Sequence, residues 1–338
     1  MAAAAMTAAA VIAEATTLRT RPRPACLLCG SPGTVLHAAV RDLYFGVPGE
    51  WTLRRCANPA CGLVWQDPMV VGEDLVRAYQ GYYTTADGSA GAATSPTHGF
   101  GNAFFRLDRA LERLLGLGAE RLRHAAAYLE GVAPGALLDV GCGDGAFAAA
   151  MRARGWDARG TDFDPAAAAA ARRRHGLQVE VGDLRDIAFP AASFDAVTAR
   201  HVVEHVADPI AFVAECWRLL RPGGRLVLVT PNIDSLGHRH FGTRWRGLEQ
   251  PRHLFLFGVA SMRSLSRRAG VASADVSASA QGAPFVLRAS LQTSRGLLRR
   301  GCDSLVVATL AWREAALARR GRPVGEELVL VAVKEAGR

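Results

Sequence analysis

The segment Ala136–Gly145, ALLDVGCGDG, constrains this chain more than any other. An apolar run, Ala136 to Leu138, leads through Asp139-Val140 into glycines at every second position: Gly141, Gly143 and Gly145. A short apolar run bounded by glycines predicts a buried strand entering a tight turn. The alanine-rich stretch that follows, 146–153, favours helix. Strand, glycine turn and helix in that order leave open helix N–H groups beside a backbone without Cβ atoms. A ligand can lie directly against such a backbone, and an anionic group is favoured there.

Beyond the turn, helix and strand patterns alternate, which predicts a parallel sheet with helices on both faces. Trp156–Thr161 reads as a second strand ending at Asp162, 21 residues after Gly141. An acid at that spacing can accept both ribose hydroxyl hydrogens of a nucleoside. Asp164-Pro165 opens the next helix as N-cap and first residue, and Gly176 closes it. Gln178–Val181 is a third strand, followed by Gly182-Asp183-Leu184. Ser193–Val197 begins a fourth, and residues 218–229 read as helix end, turn and fifth strand.

G-x-G-x-G differs from the G-x-G-x-x-G of the nicotinamide fingerprint. Here an acid, Asp139, also stands two residues before the first glycine. LLDVGCGDG resembles motif I of class I S-adenosylmethionine-dependent methyltransferases, and the resemblance runs over roughly 137–271. It implies an α/β fold, a Rossmann-like seven-stranded methyltransferase sheet with helices on both faces. It implies S-adenosylmethionine held by Asp139, Gly141, Cys142, Gly143, Gly145, Asp162, Phe163, Asp183, Leu184 and Arg200. Within that set the resemblance gives Asp162 the ribose and Asp183 the adenine amino group. An ordinary turn aspartate at 183 is the alternative.

Four of the seven cysteines fall close together: Cys26-Leu-Leu-Cys29-Gly30 and Cys56-Ala-Asn-Pro-Ala-Cys61-Gly62. Each glycine-terminated pair can turn tightly enough to aim two thiolates at one ion. Two pairs with 26 residues between them suit a tetrahedral, structural zinc site. Four reduced thiols without metal are the alternative. Segments 34–40, 51–55 and 63–65 read as short strands. Together they form a zinc-ribbon-like module over 25–83, too small to bury a useful core without the ion. His37 is expected on the surface of such a strand. With its Asp-Pro and tyrosine-rich continuation, the module resembles the N-terminal zinc module of a bacterial methyltransferase group associated with surface-polysaccharide and natural-product sugars. Tyr79, Tyr82 and Tyr83 either reach the active-site mouth or pack the module onto the main domain.

In open α/β sheets ligands bind at the C-terminal strand ends. The chemistry should therefore come from residues after the fourth and fifth strands. After the fourth come His201, Glu204 and His205, which would share a face if helical. After the fifth comes a polar and aromatic stretch, about 232–258, expected to be a lid and acceptor-site wall and to contain His253. The HVVEH pattern resembles E-x-x-E-H of metal-assisted O-methyltransferases, with His201 standing where those have Glu. Three readings stay open: a divalent metal on these groups, a metal-free base at His205 or His253, and a structural role.

Residues 1–24 are expected to form a disordered or loosely helical tail, 84–101 a linker, and 102–338 the methyltransferase domain. A helix is expected over about 103–129, two arginine-rich helices over 284–321, and a final edge strand over 327–333. Those two helices could serve core packing, an oligomer interface or peripheral membrane contact. The formal charge is +9 over 338 residues, yet Lys334 is the only lysine and the arginines form no long run, so nucleic acid is not the expected partner. No stretch reaches the apolar length needed to span a bilayer, and the amino terminus makes a poor secretory signal, so a cytoplasmic location is expected. The expected activity is O-methylation of a sugar or other small-molecule hydroxyl. The alternatives are a phenolic hydroxyl, a sugar carbon or amine, and RNA.

Overall fold

The computed structural model describes residues 18–79, 122–124, 126–292 and 300–335. Tyr82, Tyr83, the 84–101 segment and most of the helix expected over 103–129 lie outside the described residues.

The chain begins with β1 (Thr20–Arg21), β2 (Gly33–Val40), β3 (Trp51–Cys56), β4 (Val64–Gln66), β5 (Met69–Val70) and α1 (Gly72–Ala78). β1 pairs antiparallel with β5, so the described end of the expected tail, residues 20–21, is strand. β2, β3 and β4 form a meander; Cys26 and Cys29 lie in the turn just before β2, and Cys56 and Cys61 at the β3–β4 turn.

The second half opens with β6 (Ala136–Val140), whose residues are nearly all buried. A strand covered on both faces reads as a continuous apolar run, as ALLDV does. Then come α2 (Ala146–Arg152), β7 (Asp157–Asp162), α3 (Pro165–His175), β8 (Val179–Val181) and β9 (Phe194–Arg200). They are followed by α4 (Pro209–Leu219), β10 (Leu220–Pro231) and α5 (Leu236–Phe241). The caps follow the sequence: Asp164 accepts from the N–H of Ala166, and Gly176 ends α3 at φ 61°. Asp208 accepts from the N–H of Ala211 at the start of α4.

The remaining elements are β11 (Phe255–Leu256), α6 (Val259–Arg268), β12 (Asp275–Ser279), α7 (Ala283–Gln292), α8 (Arg300–Arg319) and β13 (Glu327–Val333). The main sheet runs β12-β13-β10-β9-β6-β7-β8. Strands β6 to β10 are parallel, and β13 is antiparallel to both β10 and β12. The strand 327–333 therefore lies inside the sheet and not at its edge. Its apolar ELVLVAV sequence suits a place between two neighbours, and the more polar DVSAS of β12 takes the edge.

Two further expectations are corrected. His201–His205 is a turn, not a helix, because His201 adopts φ 56°. Residues 126–128 are likewise turn, with Ala127 and Tyr128 at positive φ. The 232–258 stretch, expected as a lid and acceptor-site wall, lends Trp245, Arg246, Gly247, Glu249 and His253 to the lining of a cavity. This stretch is mostly buried, and its β11 pairs with β4, so the cysteine-bearing sheet has the order β11-β4-β3-β2. One continuous apolar core joins Leu63 and Trp65 of the amino-terminal module to Leu138, Phe255 and Phe257.

Candidate active site

A cavity of about 620 Å³ opens at the C-terminal ends of the parallel strands. Its size lies in the range of small-ligand sites. Gly141, Gly143, Asp162, Phe163, Asp183, Leu184 and Arg200 are among its lining residues. Asp162 is fixed there: one carboxylate oxygen accepts from the N–H of Gly143 at 2.8 Å, the other from the N–H of Asp164 at 2.9 Å. Burial raises its pKa. Asp183 is bound by Arg185 at 2.9 Å, which holds its carboxyl below the usual range. The Arg200 guanidinium lies over the Phe147 ring at 4.7 Å, and its Nε is buried without a hydrogen-bond partner among the described residues.

Three residues expected at the donor do not line the cavity. Asp139 is buried behind it and accepts from the Thr198 hydroxyl at 2.8 Å; burial pushes its pKa up to about 7. The Cys142 thiol faces β7, where a Cβ on Gly160 would meet its sulfur at 2.5 Å. A Cβ at Gly145 would meet Leu177 and Ala171 at 2.5 and 2.8 Å, so this glycine serves packing. Gly141 does both: it lines the cavity, and its missing Cβ leaves room for Val202.

His201, His205 and His253 also line it. The rings of His205 and His253 lie with centroids 4.6 Å apart. His253 Nδ1 is 2.7 Å from the Gly247 carbonyl and His205 Nδ1 is 3.0 Å from the Arg252 carbonyl. A carbonyl can only accept, so these contacts favour the tautomer protonated at Nδ1, with Nε2 as the acceptor nitrogen of each neutral ring. The Tyr79 hydroxyl is 2.7 Å from the same Nδ1 of His205.

Glu204 is fully buried behind the histidines and does not itself line the cavity. One of its oxygens accepts from the Thr230 hydroxyl at 2.9 Å. The other lies 3.4 Å from His201 Nδ1 and 4.0 Å from His205 Nε2 without an aligned hydrogen bond. Glu204, His205 and His253 present ligand atoms all within 4.8 Å of one another. A buried carboxylate oxygen lacking a donor, beside two free imidazole nitrogens, is a donor set that fits a divalent transition metal. His201 stands apart from this set. Its Nε2 is 3.1 Å from Glu327, and although burial opposes its charge, Glu204 and Glu327 on either side raise it to about 10. These two carboxylates favour its charged form.

The four cysteines also converge. Cys26 and Cys61 sulfurs are 3.7 Å apart, Cys29 and Cys56 sulfurs 3.4 Å, and all four lie within 4.8 Å. Tetrahedral Zn–S bonds of 2.3 Å place sulfurs about 3.8 Å apart. His37 takes no part. It is half-buried rather than superficial and its Nε2 is 2.9 Å from His238 Nε2.

A sequence profile of the family described as "Methyltransferase domain" matches residues 107–273. The chain carries a class I S-adenosylmethionine-dependent methyltransferase domain. This domain is 40% identical over 128 residues to a demethylmenaquinone methyltransferase of Deinococcus radiodurans, covering 35% of this chain and 53% of the relative. It is 37% identical over 138 residues to a ubiquinone biosynthesis O-methyltransferase of Xanthomonas oryzae pv. oryzae, covering 39% and 57%. The chain thus spans about half the length of the curated relatives it matches. Among solved structures, a possible histamine N-methyltransferase from Thermotoga maritima superposes with a TM-score of 0.44 at 16% identity, covering 69% and 97%.

Sequence reasoning missed Glu326, Glu327, Trp245, Arg252 and Asp42 around this site. A pair of acids opening an apolar strand was the available sign for the first two. Trp245 donates to Glu326 at 2.6 Å, and both line the cavity. No helix among the described residues is long and apolar enough to cross a membrane.

Proposed function

We propose that the chain transfers the methyl group of S-adenosylmethionine to a hydroxyl oxygen of a small-molecule acceptor, with a sugar hydroxyl as the acceptor class. The observation that carries this is one cavity lined both by the Gly141–Asp162 turn and by the His205–His253 pair. The relative named an O-methyltransferase supports oxygen as the accepting atom. The sugar rests on the resemblance of the cysteine module and suits a wall that combines the Trp245 and Phe285 rings with Glu249, Glu326 and Glu327.

The donor supplies an electrophilic methyl on a sulfonium. Gly143, Asp162 and Phe163 hold its nucleoside part and Arg200 its carboxylate. The acceptor oxygen forms a bond to carbon as the carbon–sulfur bond breaks, and its proton passes to Nε2 of His205 or His253. Where a divalent ion binds, Glu204, His205 and His253 would hold it, and it would acidify the acceptor hydroxyl. The four cysteines hold one structural zinc.

The test is transfer from labelled donor to a panel of nucleotide sugars, free glycosides and phenols, with the product bond assigned by NMR. A new O–CH₃ on a sugar is expected. Methyl on nitrogen or carbon overturns the oxygen assignment, and methyl on a phenol alone overturns the sugar.

A further inference from the structure

The cysteine module reaches His205 of the cavity through a buried ion pair. Asp42 follows β2 and its side chain is fully buried. One oxygen accepts from the N–H groups of Tyr44 and Phe45, and the other from Val47. That second oxygen also accepts from Arg252 Nη2 at 2.8 Å. Arg252 is itself 0% exposed. Its guanidinium lies over Phe45 at 4.4 Å, donates from Nη1 to the Ala78 carbonyl at 3.0 Å, and meets Glu249 from Nε at 3.3 Å.

A fully buried guanidinium is costly to desolvate and persists only where its donors are matched. Here the match has a geometric consequence. The guanidinium immobilises the backbone at residue 252, whose carbonyl receives Nδ1–H of His205. Through the Ala78 carbonyl it also pins the end of α1, where the next residue, Tyr79, places its hydroxyl on the same nitrogen. Both groups in contact with His205 Nδ1 are thus held by one side chain.

We propose that Asp42 is a positioning residue for His205, acting through Arg252, so that the amino-terminal module fixes the tautomer and aim of the base. The proposal rests on His205 serving the reaction proposed above. Asp42 touches neither donor nor acceptor; it does not line the cavity. Its effect is confined to which ring nitrogen of His205 carries the proton and where Nε2 points.

The test reads the imidazole directly, without any acceptor. In full-length protein with ¹⁵N-labelled histidine, His205 signals are assigned by their absence in His205→Gln. The parent should show a single tautomer, protonated at Nδ1. Asp42→Asn keeps the shape but loses the charge that holds Arg252, and should give ¹⁵N shifts averaged between the two tautomers. Tyr79→Phe removes a single hydroxyl from the end of α1, so it stays folded if the Asp42 variant does not, and it should move the same signals. Turnover should fall by up to about 10²-fold in Asp42→Asn at unchanged KM for the donor, the size expected when a remote change misplaces a reacting group. Asp42→Glu should restore part of it. Folded Asp42→Asn or Tyr79→Phe protein with the parental His205 spectrum overturns the proposal. An altered His205 spectrum in protein that methylates no hydroxyl overturns the proposed reaction instead and leaves the positioning intact.

Discussion

Phe255 pairs with Trp65 in antiparallel register, and neither ring is exposed, so a strand of the methyltransferase domain completes the sheet that carries the cysteines. Separate folding of the two parts would leave β4 with an open edge and strip cover from both aromatic rings. The module and the domain therefore stand or fall together.

One zinc per chain is expected, and its removal should be felt throughout the molecule. Elemental analysis of purified protein should give about one zinc. Chelation should lower the melting temperature of the single main transition, because the shared sheet and core couple the metal loops to the domain. A chelated protein with an unchanged transition, or a small separate transition for the module alone, contradicts this.

Gly141 and Gly176 separate two uses of glycine. Both sit at positive φ, 69° and 61°. A Cβ at Gly141 would meet Val202 Cγ2 at 2.4 Å, whereas one at Gly176 would meet nothing within 4 Å. Gly176→Ala should cost only left-handed backbone strain, about 1 kcal/mol. Gly141→Ala should cost that plus overpacking, about 1–3 kcal/mol more, and should also weaken S-adenosylmethionine in calorimetry. Equal melting temperatures for the two variants would sink the packing argument.

These positions also show what the sequence carried. Local signals were legible: the strand and glycine turn at 136–145, the Asp164 cap with Gly176, and the cysteine pairs all follow from neighbours in the chain. Tertiary placement was not. His201, Glu204 and His205 have helical spacing, but His201 turns to φ 56° where β9 ends, which sends it to Glu327 and His205 to His253. The 232–258 stretch is polar in composition yet buried, because its polar groups are satisfied internally; Gln250, for example, donates to the Leu248 and His253 carbonyls. Nothing near Asp42 in sequence signals its partner at Arg252.

The stability contributed by His238 and His253 should shrink as the solution is made mildly acidic. Burial, and next the facing His37, lower His238 to about 4; burial, and next the facing His205, do the same for His253. Unfolded histidine titrates near 6.5. Between those values each of these two histidines binds more protons in the unfolded chain than in the folded one, so their contribution to stability rises with pH. The loss should begin as pH drops through about 6.5 and level off near 4, at roughly 1–3 kcal/mol for each group. Urea midpoints between pH 7.5 and 5 measure it. His238→Gln should flatten part of the slope, and a slope identical to the parent's would remove His238 from the account.

His205 should carry the chemical step, with His253 as partner. Both rings have Nδ1 committed to a backbone carbonyl and Nε2 free beside the cavity, and their centroids lie only 4.6 Å apart. An unassisted hydroxyl is a poor nucleophile at neutral pH, and a positioned base contributes about 10²–10⁴-fold. His205→Ala should lower turnover by that order while S-adenosylmethionine affinity, set around Gly143 and Asp162, stays nearly parental. Asp162→Ala should do the reverse, weakening the donor by about 1–3 kcal/mol through lost buried hydrogen bonds. If a divalent ion occupies Glu204, His205 and His253, chelation should also abolish turnover and a divalent ion restore it, and Glu204→Gln should then be as damaging as His205→Ala. A His205→Ala/His253→Ala double variant that methylates its acceptor at the parental rate would remove both the base and the metal from this site.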